Sequence, residues 1–236
     1  MRPMLAFDTS TACARVAMLS PAGGCLAKAE KVAARHSSNL LRLCDEVLRA
    51  TGTIVSELGA LACGCGPGSF TGLRVGLAVA KGLALADRIP LVLVPSLDAL
   101  AVDLTEVLKG VGLVLPCIDA GKGQVYGRLY RAAGRVPAPI STDEIALVPE
   151  DLCRLVQEQA AGAAVLAGGN GVDRYQEIFR AQLGAEAVRF QVAGPSALGV
   201  GRLAFARLAR GEHDDLETSV PRYGRPPDIT KPKAAS

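Results

Sequence analysis

Histidine is nearly missing from this chain, with 2 in 236 residues. His36 and His213 stand far apart and neither HExxH nor HxxxH occurs, which excludes zinc sites built on two or more histidines and metal-activated proteolysis with them. The 7 cysteines are odd in number and contain no CxxC pair, and Asp8 interrupts the first apolar stretch before a signal-peptide core forms. These features predict a reduced, cytoplasmic protein. Cys63 and Cys65 read as small apolar residues, not as a chelating pair. No apolar run reaches the roughly 18 residues of a membrane span without a charge. A strong charge of either sign is also absent: Lys+Arg total 26 against Asp+Glu 23, a net +3, which does not announce a nucleic-acid protein. Hydrophobic residues at 50% and charged residues at 21% rule out a disordered chain. Mean hydropathy of +0.28, much of it alanine, points to extra buried surface such as a partner interface.

The pattern that is present repeats. An apolar run Met4–Phe7 ends at Asp8, followed by a polar turn and two further strands over Ala14–Leu19 and Cys25–Val32. A helix begins near Ser37 or Ser38 with Leu40, Leu43 and Val47 at helical spacing; then come a strand Ala60–Cys63, a glycine turn and a helix Thr71–Asp87. A strand Leu91–Val94 and a helix Leu97–Leu108 follow. The order then starts again: Val111–Ile118 ending at Asp119, a hairpin partner Val125–Tyr130, a strand near Val136–Ser141, and a helix opened by Pro149. The strand Ala164–Ala167 runs into Gly168-Gly169-Asn170-Gly171, and a helix spans Tyr175–Leu183. Agreement of the two series predicts an internal duplication: two packed ββαβα-type α/β halves with mixed sheets, over 1–108 and 109–220. The proline- and lysine-containing stretch 221–236, with Arg222, Arg225, Lys231 and Lys233, is expected to be a flexible tail.

Few residues offer chemistry. Asp8 and Asp119 each end an apolar strand at a small turn, an arrangement suited either to a metal-bridged phosphate between the halves or to simple turn capping. Gly66 to Gly76 (GPGSFTGLRVG) contains no GxxxxGK[ST], no GxGxxG and no GxSxG, leaving a tight turn into a helix that binds an anion or caps the helix. From Leu73 to Ala86 that helix is charged only at Arg74 and Lys81, while Gly72, Gly76, Ala80 and Ala84 form a ridge of small residues. A helix apolar nearly all round is covered on more than one side. The ridge admits close packing within the chain or against a second molecule.

Gly66 to Gly76, continuing as Leu77-Ala78-Val79-Ala80-Lys81-Gly82-Leu83-Ala84, resembles the signature of the TsaB (YeaZ) family. Leu5-Ala6-Phe7-Asp8-Thr9-Ser10-Thr11, Arg35-His36-Ser37, Ile118-Asp119-Ala120 and Gln124-Val125-Tyr126 are similar to it as well, and the resemblance is close over about the first 130 residues. It implies an actin/Hsp70-like (ASKHA) duplicated fold. It further implies a non-catalytic role in making N6-threonylcarbamoyladenosine at position 37 of tRNAs that read codons beginning with A. Catalysis and metal would belong to a TsaD-type partner, with a TsaE-type ATPase in the complex, a homodimer when the partner is absent, tRNA reached only indirectly, and no membrane or DNA partner. Carried onto this sequence, the pairing surface would comprise Leu40, Leu43 and Val47 with Gly72, Leu73, Gly76, Leu77 and Ala80; Ala80→Arg would then abolish pairing and spare the fold. No catalytic, metal or cofactor residue is expected; Asp8, Thr9, Ser10, Asp119, Gly168 and Gly169 remain as a vestigial site for ATP or ADP with Mg. The alternative is an independent ATP-dependent phosphotransferase or ATPase built on Asp8 and Asp119.

Overall fold

The computed structural model describes residues 2–32, 36–108, 112–134, 136–140, 145–189 and 192–224. In the first half β1 (Met4–Asp8), β2 (Cys13–Leu19) and β3 (Cys25–Val32) form an antiparallel meander. They are followed by α1 (His36–Thr51), β4 (Ala60–Gly64), α2 (Phe70–Asp87), β5 (Leu91–Val94) and α3 (Ser96–Leu108). The sheet order is β3-β2-β1-β4-β5, with β4 and β5 parallel to β1. β1 is central and buried along its whole length, so its run is apolar on both faces. Alternation then sorts its side chains: Leu5 and Phe7 face the core shared with α1 and α2, whereas Met4 and Ala6 face the opposite layer. β3 is an edge and carries Lys28, Glu30 and Lys31.

The second half repeats this plan with β6 (Gly112–Gly121), β7 (Gln124–Gly127), β8 (Tyr130–Ala132), β9 (Ala138–Pro139) and β10 (Ile145–Leu147). Next come α4 (Pro149–Ala160), β11 (Val165–Gly168), α5 (Asn170–Arg174), α6 (Gln176–Leu183), β12 (Val188–Arg189) and α7 (Ala197–Leu208). Its sheet reads β10-β7-β6-β11-β12, the same order as the first with β10 in the third strand's place. The expected hairpin strand Val125–Tyr130 is broken. β7 pairs with the end of the long β6 and β8 with its beginning, so two short strands share one edge in tandem. The strand expected near Val136–Ser141 shrinks to the two residues of β9, because Pro137 and Pro139 carry no N–H for a ladder.

The expected limits of the second half, 109–220, do not hold. Helix α7 and the segment after it return to the first sheet. Ala197, Val200 and Ala204 pack with Met4, Ala6, Leu19, Ala62 and Val92, covering the face that α1 and α2 leave open. A methyl on Gly201 would lie 2.6 Å from Leu19, which shows how closely this helix approaches. Asp103 of α3 accepts from Ser196 N at 2.7 Å and from Ser196 Oγ at 2.6 Å, fixing the start of α7. Asp214 then closes the outer edge of β5. Its N–H donates to Leu91 O at 2.8 Å, its Oδ2 accepts from Leu93 N at 2.7 Å, and Arg207 Nη1 donates to Leu93 O at 2.9 Å. Of the expected flexible tail, residues 221–224 are seated against the first half, since Arg222 N donates to Cys65 O at 2.7 Å. Residues 225–236, with Arg225, Lys231 and Lys233, lie outside the described residues, as do Arg35 and residues 141–144. Among the described residues no helix is long and apolar enough to cross a membrane, and the cysteines are free thiols.

Candidate functional site

The two strand-end aspartates stand at equivalent places in the two halves, and the chain itself occupies both. Asp8 is fully buried at the end of β1. Its Oδ1 accepts from Ser10 N at 2.8 Å and Ser10 Oγ at 2.6 Å, and its Oδ2 accepts from Ser96 Oγ at 2.8 Å. Burial pushes its carboxyl up from the usual carboxylate range, while the serine hydrogen bonds pull it back. Gly64 is required beside it, since a methyl there would fall 1.9 Å from Asp8 Oδ2. Asp119 is held differently. Its Oδ2 accepts from Arg174 Nη1 at 2.8 Å and its Oδ1 from Gly121 N at 3.0 Å, while its own N–H donates to Asn170 Oδ1 at 3.2 Å. Gly168 is buried at the end of β11, and Gly169 has φ +115° with a methyl position 2.1 Å from Cys117 O. Close backbone approach accounts for Gly169 without a ligand.

The glycine-rich segment is a mould for the β1–β2 turn. Ser69 Oγ caps α2 by accepting from Gly72 N at 3.2 Å, and Ser69 N donates to Ser10 O at 2.7 Å. Thr9 is buried with its Oγ1 donating to Gly72 O at 2.8 Å. A methyl on Gly72 would lie 2.0 Å from Thr9 O, and one on Gly76 would lie 2.4 Å from Thr9 Oγ1. The ridge of small residues therefore admits the chain's own turn, and Ala80 and Ala84 continue it into the core.

This placement corrects the expected pairing surface. Leu40, Leu43, Val47, Gly72, Leu73, Gly76, Leu77 and Ala80 are all buried within the chain. They point at the sheet, so Ala80→Arg would disrupt the fold before it touched a partner. The outer sides of the same helices carry Leu41 at 53% exposure, Phe70 at 45% and Leu85 at 72%, with Arg74 and Ala78. Their phase was marked in the sequence by Arg74 and Lys81: positions one turn on from these, Ala78 and Leu85, share the solvent side. Ser96 and Arg174 were missed altogether. Ser96 offers only the signal of a helix start after Pro95, and its link to Asp8 spans 88 positions.

Two halves of like topology, each carrying an aspartate at or close to the end of its central strand, define the duplicated actin-like (ASKHA) class. Component A of (R)-2-hydroxyglutaryl-CoA dehydratase from Acidaminococcus fermentans shares that fold alone, at TM-score 0.52 and 12% identity over 89% of this chain and 100% of that one. The family model described as TsaD, tRNA N6-adenosine threonylcarbamoyltransferase, matches residues 14–183. YeaZ from Pseudomonas aeruginosa superposes at TM-score 0.80 with 30% identity, covering 94% of this chain and 100% of that chain. The tRNA threonylcarbamoyladenosine biosynthesis protein TsaB of Escherichia coli K12 is 37% identical over 128 residues, which is 54% of this chain and 54% of the relative. The match thus spans about half the length of that curated relative. The chain belongs to the TsaB/YeaZ branch of this family.

Proposed function

We propose that this chain takes part in forming N6-threonylcarbamoyladenosine at position 37 of tRNAs reading codons that begin with A, as a non-catalytic partner of a TsaD-type catalytic subunit in the cytoplasm. Its membership of the TsaB/YeaZ branch supports the pathway. One observation carries the non-catalytic role: the carboxylates of Asp8 and Asp119, which a phosphoryl-transfer enzyme of this fold would turn toward a magnesium-bound phosphate, accept hydrogen bonds from Ser10, Ser96, Arg174 and Gly121 of the chain itself. Pairing would use the outer sides of α1 and α2, where Leu41, Phe70 and Leu85 are apolar and exposed. The same face would form a homodimer when the partner is absent. A TsaE-type ATPase would join the pair, and tRNA would be met chiefly by the catalytic subunit.

The test is threonylcarbamoyl transfer to tRNA by a TsaD-type partner and its helpers, with and without this protein. Activity that requires the chain, together with no transfer by the chain alone, supports the reading. Equal activity without it overturns the role, and transfer by the chain alone overturns the non-catalytic assignment.

A further inference from the structure

The last described residues do more than end the chain. Arg222 lies along the turn between β4 and α2: its N–H donates to Cys65 O at 2.7 Å, and a methyl on Gly66 would lie 2.4 Å from Arg222 O. Tyr223 stacks on Phe70 at the start of α2, with ring centroids 4.8 Å apart and planes tilted by 31°. Arg74 sits over the same Phe70 ring, 5.3 Å from its centroid. Gly224 then wedges between the halves. A methyl there would lie 2.4 Å from Tyr126 Cε1 on β7 and 3.0 Å from Pro67 Cβ of the first half. Three consecutive residues therefore touch the first half, the start of α2 and the second half in turn.

The turn they cover leads inward. Gly66 O accepts from Ser96 N at 2.7 Å, Gly66 N donates to Ser96 Oγ at 3.2 Å, and Ser96 Oγ donates to Asp8. We propose that Arg222–Gly224 is a strap that clamps the two halves at this junction and, through the Gly66–Ser96 pair, keeps Asp8 in its closed hydrogen-bonded state; release of the strap is the event that frees the junction. The contacts are local and few, and Arg222 and Tyr223 are exposed, which is the profile of an element that opens well below the global unfolding free energy. Because Tyr223 rests on exposed Phe70, any molecule that binds Phe70 with different affinity in the strapped and unstrapped states shifts the strap, and the strap shifts that molecule's affinity by the same factor. The strap is a property of this chain alone and stands whether or not a TsaD-type subunit is its partner.

Amide hydrogen exchange on the full chain tests it with two variants. Tyr223→Ala removes an exposed ring and leaves both cores intact; Gly224→Leu drives a side chain into Tyr126. In both, exchange at the Gly66 and Ser96 amides is expected to rise about ten-fold or more, while amides of the β1–β4 ladder keep their wild-type rates. Unchanged exchange at Gly66 and Ser96 overturns the strap. So does a uniform rise across both sheets, which would make the segment an ordinary contributor to global stability.

Discussion

Two alanine substitutions in one helix should act in opposite directions. Gly82 of α2 is exposed, and a methyl built there meets nothing within 4 Å. Gly82→Ala gains helix propensity of about 1 kcal/mol, which for a chain of this size raises Tm by roughly 2–4 °C. Gly76, six positions earlier, has the same propensity to gain, but its methyl would stand 2.4 Å from Thr9 Oγ1. Ordinary contact requires a retreat of about 1 Å, and Thr9 is buried and tied to Gly72 O. Overpacking at about 1–3 kcal/mol and loss of a buried hydrogen bond at about 1 kcal/mol outweigh the propensity gain, leaving a net loss of roughly 1–3 kcal/mol. Thr9→Ala removes the clashing atom, so the double variant Thr9→Ala/Gly76→Ala should be more stable than the sum of the singles by about 1–2 kcal/mol. Gly72→Ala has no such rescue, because its methyl meets backbone, Thr9 O at 2.0 Å. Urea unfolding of the wild type and these five variants measures all of this. Gly76→Ala as stable as Gly82→Ala, or strict additivity with Thr9→Ala, would refute the account of the ridge as a seat for the β1–β2 turn.

Three further outcomes are expected. Burial raises the Asp103 carboxyl to about 6, so its contribution to stability is fully present below about pH 4 and is lost as pH rises through 6. Two units correspond to about 3 kcal/mol, discounted to roughly 2 kcal/mol for partial exposure; Asp103→Asn should gain that much on the wild type between pH 4 and 7.5 in urea titrations, and parallel curves would refute it. Asp8→Ala strips three hydrogen bonds of their buried acceptor and should cost about 2–4 kcal/mol, whereas millimolar ATP with magnesium should move the wild-type Tm by less than about 1 °C; a larger shift would favour the phosphotransferase alternative. Leu85→Glu should leave the unfolding free energy within about 0.5 kcal/mol yet weaken association with a TsaD-type partner in sedimentation, while Leu77→Glu, on the buried side, should fail to fold.

The order of strands and helices was legible because each apolar run is bounded by a glycine, proline or aspartate turn, and because the second half repeats the first. What was not legible depends on contacts between residues far apart in the chain. Helix α7 carries Gly199 and Gly201 in its first half and so reads as a weak helix former; only the uncovered face of the first sheet explains it. Helix phase misled for a related reason. In α2 nearly every position is apolar or small, so the inward and outward stripes differ only by Arg74 and Lys81. The candidate site was half visible: Asp8 and Asp119 stand where the turns placed them, but the partners that occupy them, Ser96 and Arg174, lie 88 and 55 positions away.

The return of Asp214 to β5 bears on how this protein behaves in a crowd. An outermost strand is a template on which another chain can add by backbone hydrogen bonds. Here the outward groups of Leu91 and Leu93 are already matched, partly by side chains: one carboxylate and one guanidinium stand in for a neighbouring strand. Side chains of that kind cannot be continued, because they present no second row of amides for the next molecule. The sheet ends in a stop that does not propagate. Arg207→Ala with Asp214→Ala would free the outward N–H and C=O of Leu93 in the apolar strand LVLV, and the loss would show as concentration-dependent assembly at micromolar protein with the monomer's helices still formed.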